Sequence, residues 1–123
     1  MMKNVRQPLS ASELAPLADK GLRLAAYSLA ESIRIEEPDT FEEIGFTFSE
    51  LVESFFADQD DEGKNPSAQT VEVSPGKSGG YVFTVTDWSC PYSSAVSYTI
   101  GGVSAYGNFW WTDFYSGYLP EAA

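Results

Sequence analysis

Along the first third of the chain, apolar residues recur at steps of three and four. Leu14, Leu17, Ala18, Gly21, Leu22, Ala25, Leu29 and Ile33 make one stripe of helical period. This predicts an amphipathic helix that ends near Arg34, before the sequence EEPD. Ser10 with Glu13 three residues on fits a reciprocal capping box. Pro16, which removes a helical hydrogen bond, favours a start at Ser12 or later. A second stripe, Phe41, Ile44, Phe48, Leu51, Val52 and Phe55, predicts a second helix opened by Thr40 and Glu43. Gly45 makes its continuity conditional, because Thr47 and Glu50 form another box that restarts the helix after a break.

Beyond the polar stretch ADQDDEGKNPS the period falls to two. QTVEVS and YVFTVT flank PGKSGG, while AVSYTI and VSAYG flank Gly101-Gly102, which predicts two β-hairpins. With the glycine pair as a two-residue loop, Ile100 faces Val103, Tyr98 faces Ala105 and Val96 faces Gly107 on one apolar side. The same parity sends Phe83 and Val85 inward, and Val82, Thr84, Thr86 and Trp88 outward. Continued through Gly107 without a bulge, it turns Phe109 and Trp111 inward and Tyr106, Asn108 and Trp110 outward. The predicted fold class is therefore α+β, with two N-terminal helices packed on one face of a four-stranded antiparallel meander. Residues 1–9 read as a flexible arm and 10–123 as a single domain. Within it, 10–57 form a helical acidic part, 58–68 an acidic linker and 69–115 the β part.

Composition narrows the chemistry sharply. The 123 residues include no histidine, which removes the commonest general base, the Ser/His and Cys/His nucleophile pairs and the usual transition-metal ligand. Cys90 is the one cysteine, so no internal disulfide forms, and a reducing, cytoplasmic setting is expected. Ser89 and Cys90 stand near Asp87 without an activating base, so no enzyme and no cofactor are expected. No window approaches the ~18 continuous apolar residues of a membrane span.

The net charge of −11 is concentrated in one stretch. From Glu31 to Glu62 twelve acids face Arg34 alone, and elsewhere six acids balance six bases. Such a block repels nucleic acid and anionic membranes and attracts a basic protein surface; a merely solubilising face is the alternative. The candidate contact residues are Glu36, Glu37, Asp39, Glu42, Glu43, Phe46, Glu50 and Glu53. If the second helix is continuous, Phe46 stands exposed among Glu42, Glu43, Glu50 and Glu53 as an apolar anchor. If Gly45 breaks it, Phe46 turns into the core.

Asp58, Asp60 and Glu62, followed by Gly63, match the opening of a calcium loop. Gln69 stands where that loop needs a bidentate glutamate, so the segment is a weak calcium candidate or a solvated linker. On the outward sheet face, Trp88, Tyr106 and Trp110 would form an aromatic group on a field of serine and threonine. A bulge at Gly107, or coverage by either terminus, would remove it.

The leading expectation is an acidic, non-enzymatic binding protein of inhibitor, immunity or anti-defence type. Its partner would be a basic, nucleic-acid-handling protein, engaged in part by mimicry of nucleic acid, with no direct binding of nucleic acid. In size and charge alone the chain resembles toxin-immunity, anti-restriction and anti-CRISPR proteins, with no shared motif. The alternatives are a homo-oligomeric assembly component using the aromatic face, or a module that stacks a sugar-like ligand there.

Overall fold

The computed structural model describes residues 7–56, 68–88 and 96–120. Three helices come first: α1 (Ala11–Glu36), α2 (Pro38–Ile44) and α3 (Phe48–Ser54). Four strands follow, β1 (Gln69–Pro75), β2 (Tyr81–Asp87), β3 (Val96–Val103) and β4 (Phe109–Trp111), and a last turn of helix, α4 (Asp113–Ser116). The strands pair in chain order as an antiparallel meander, with helices on one face, as the α+β reading expected.

Local chemistry explains where the helices start. Ser10 and Glu13 close their capping box, and the helix begins at Ala11 rather than Ser12. Pro16 is tolerated inside α1 on its exposed side, where water can take the carbonyl that proline leaves unpaired. The second predicted helix is in fact two. Gly45 adopts φ 75°, a left-handed conformation that suits glycine and ends α2. Thr47 and Glu50 then cap α3 reciprocally. Thr40 and Glu43 do not open a helix, because Pro38 supplies the first turn two residues earlier.

α1 lies against the sheet through small residues. Ala25, Ala26 and Ala30 are fully buried, and a Cβ on Gly21 would sit 2.1 Å from the Phe83 ring. Beneath them, Phe83, Val85, Ile100 and Val103 from the sheet and Leu51 and Phe55 from α3 form the centre of the core. Ser28, buried in α1, donates to the Tyr115 carbonyl at 2.7 Å and so ties α4 to the helix layer. At the opposite end of α1, the Leu9 N–H donates to the Ala105 carbonyl, so the last residue of the expected arm is bound to the β3–β4 turn.

The second hairpin differs from expectation. Gly101 and Gly102 lie inside β3, not in a loop, and the turn spans Ser104 to Asn108. Pairing of Ile100 with Val103, Tyr98 with Ala105 and Val96 with Gly107 is replaced by Gly101 with Trp111, Gly102 with Trp110 and Val103 with Phe109. Each glycine makes room for an indole from the neighbouring strand: a Cβ would lie 2.3 Å from Trp111 at Gly101 and 2.6 Å from Trp110 at Gly102. A register shift beside Phe83 leaves Ile100 as an extra residue of β3, and the strand bends there.

Candidate functional site

The acids between Glu31 and Glu53 separate into two groups. Those of α3 are already engaged. Glu50 accepts from the Thr47 N–H as part of the cap, and Glu53 pairs with Arg23 of α1 at 2.6 Å. Glu31 likewise holds Arg34 at 2.5 Å. Glu36, Glu37, Asp39, Glu42 and Glu43 instead run from the last residue of α1 through α2, all exposed. Glu36 accepts a hydrogen bond from the Tyr118 hydroxyl, which raises that phenol's pKa by stabilising its protonated form. The carboxylates of Glu37, Asp39, Glu42 and Glu43 have no hydrogen bond or ion pair among the described residues.

The break at Gly45 overturns one expectation. Phe46 is not an exposed knob ringed by Glu42, Glu43, Glu50 and Glu53; it is half-buried and packs against the core. Those four acids sit on two separate helices. What the acidic region keeps is a corner where α1 turns into α2, lined on one side by a groove of about 530 Å³ between Arg34, Phe41, Glu42 and Phe46.

The open sheet face forms the other candidate surface. Trp110 is 44% exposed and lies across Gly102, while Trp111 turns to the inner face and stacks on Phe83 with centroids 5.6 Å apart. Trp110 and Tyr106 share a groove of about 660 Å³ with Val82, Thr84 and Thr99. Trp88 does not join them. It stands just past the end of β2, six residues from Val82, the neighbour of Gly102, so roughly 20 Å separates the two at strand rise. Its indole N–H donates to Thr70 at 2.8 Å and fastens it over β1. The expected three-ring platform is therefore a pair.

No family model, curated protein or solved structure matches the chain. Its surfaces must be read from their own chemistry. Asp58, Asp60 and Glu62, the calcium candidates, lie outside the described residues, as do Ser89 and Cys90. Among the described residues, no group of three acids or cysteines is gathered to hold a metal ion, and no helix is long and apolar enough to cross a membrane.

One set of neighbours escaped the sequence reading. α4 brings Phe114, Tyr115 and Tyr118 to the C-terminal end of α1, beside Glu36 and Glu37. The available signal was the start sequence Thr112-Asp113 before aromatics spaced at three and four.

Proposed function

We propose that the protein is a non-enzymatic binder that docks its α1–α2 corner on a basic protein surface. The observation that carries this reading is the set of exposed carboxylates at Glu37, Asp39, Glu42 and Glu43, none of which has an ion pair or hydrogen bond among the described residues. Held within a few turns of one another, they repel; a partner rich in lysine and arginine relieves that repulsion and is steered to the corner by it. A groove that holds nucleic acid carries the required positive charge, so a nucleic-acid-handling protein is the target class, with inhibition by occupancy of that groove as the outcome.

Capture from the native host at low and high salt tests this. The protein should retain a basic partner at low salt and release it at high salt. Combined Asp39→Asn, Glu42→Gln and Glu43→Gln substitution should weaken that complex by about tenfold or more at low salt. Unchanged affinity in the triple variant would sink the reading.

A second reading is favoured by Trp110, a large indole exposed above a glycine in the sheet groove. On it, the sheet face packs on another copy or stacks a planar-faced ligand. Trp110→Ala should then abolish concentration-dependent association in light scattering or saccharide-induced fluorescence changes. A wild-type protein that shows neither behaviour contradicts it.

A further inference from the structure

The C-terminal end of α1 meets α4, β3 and the start of β1 around a cleft of about 150 Å³, walled by Glu36, Glu37, Gln69, Tyr98, Phe114 and Tyr115. An apolar cavity of ~150 Å³ holds one benzene, so the cleft has the volume of a single planar head group. None of its lining residues is basic. Tyr98 and Tyr115 stack with centroids 6.2 Å apart, and the Tyr115 hydroxyl donates to that of Tyr98 at 3.0 Å. Burial first, and then this hydrogen bond, raises the Tyr115 phenol far above the ordinary phenol range, so it stays neutral. Negative charge at the cleft comes from Glu36 and Glu37.

Both carboxylates are available to a donor. Tyr118 donates to Oε2 of Glu36 and steadies that side chain, leaving Oε1 without a hydrogen bond among the described residues. Phe114 is 54% exposed, held edge-on by Tyr115 at 4.9 Å and by Tyr118 at 5.3 Å. An exposed ring next to two acids is the pairing that a delocalised planar cation satisfies on both sides: its face on the ring, its N–H edge on a carboxylate.

We infer that this cleft receives the guanidinium of an arginine presented by a partner protein, stacked on Phe114 and paired with Glu36 and Glu37. The inference rests on the proposed docking of the acidic corner and names the group that anchors it. A second copy of this chain is a poor occupant, since each copy carries a net charge of −11. Lysine matches the charge and lacks the flat face and the two-pronged donor edge. Aromatic and arginine side chains are also the residues on which interface affinity concentrates.

The test is a nuclear magnetic resonance titration of the full chain with blocked arginine, blocked lysine and blocked citrulline, the last having arginine's shape without its charge. Blocked arginine should shift the ring resonances of Tyr98, Phe114 and Tyr115 saturably, and citrulline should not. Combined Glu36→Gln and Glu37→Gln substitution should weaken arginine binding by about fivefold or more, with the spectrum away from the cleft and Tyr118 unchanged because both side chains are exposed. No saturable shift, an equal response to citrulline or lysine, or an unweakened double variant overturns the assignment. The two ideas separate cleanly. Loss of partner capture on changing Asp39, Glu42 and Glu43 with no arginine response contradicts the cleft alone, and the reverse pattern contradicts the docking surface alone.

Discussion

Gly102 carries no side chain because Trp110 occupies the space above it. A methyl group there would stand 2.6 Å from both the indole and the Tyr81 carbonyl, and neither can retreat without disturbing the sheet. Gly102→Ala should therefore destabilise the protein by about 1–3 kcal/mol, the range for overpacking, and change the tryptophan emission. A denaturant midpoint equal to wild type would contradict the packing. Gly21→Ala is a second case with opposing terms. Alanine favours a helix by ~1 kcal/mol over glycine, but its Cβ would overlap the Phe83 ring. Overlap with a fully buried ring wins, so net destabilisation is expected in the same denaturant experiment.

The acid end of the pH range tests the α1 cap. Glu13 is held below its ordinary pKa chiefly by the Ser10 N–H and secondarily by the Ser10 side chain. A carboxylate depressed in the folded state contributes stability above its unfolded pKa and loses it as pH falls through the folded value. The Ser10 amide resonance should titrate with a midpoint below that of a free glutamate. In Glu13→Gln the titration should vanish, and a midpoint at or above the free value would contradict the cap.

Helix α3 owes its start to three residues. Thr47 and Glu50 satisfy its first N–H groups, and Gly45 turns the chain so that the second box can form at all. Thr47→Ala should cost about 1 kcal/mol in unfolding free energy, measured by denaturant titration. No loss would mean that α3 is held by Leu51 and Phe55 alone. This element also shows what local sequence can and cannot specify. Both boxes, Thr40/Glu43 and Thr47/Glu50, are legible, yet only the second is used, because a proline two residues upstream starts α2 first.

The Gly101-Gly102 pair was legible as glycine and misread as a turn, since adjacent glycines are the common signal for a tight hairpin. Their actual reason, two indoles crossing from β4, exists only once the strands are paired. The inward and outward roles of Trp111 and Trp110 survived this error. Val103 and Phe109 pair across the turn and are an even number of residues apart, so the alternation keeps its phase. Val96 and Tyr98 kept the inner parity without the burial expected of it, because they lie at the end of the sheet where the helices do not cover them fully.

Across the whole molecule, the fold assigns different chemistry to different faces. The inner sheet face is consumed by α1, and the outer face carries Trp110 and Tyr106. Among the described acids between Glu31 and Glu53, those outside caps and ion pairs collect where α1 turns into α2. The sequence showed the density of charge between Glu31 and Glu62 but not which acids were spent internally, since Arg23–Glu53 spans thirty residues and Glu36–Tyr118 more than eighty. The arginine cleft was invisible for the same reason: its walls come from α1, β1, β3 and α4.

The docking corner and the sheet face make opposite demands on one experiment. Hydrogen exchange of the protein, alone and with its salt-released partner bound, reports which backbone amides the partner covers. Protection should rise from Glu36 through Ile44 and in α4, with β2 and β4 unchanged. Protection confined to β2, β4 and the Ser104–Asn108 turn, with α2 unaffected, would contradict docking through the acidic corner.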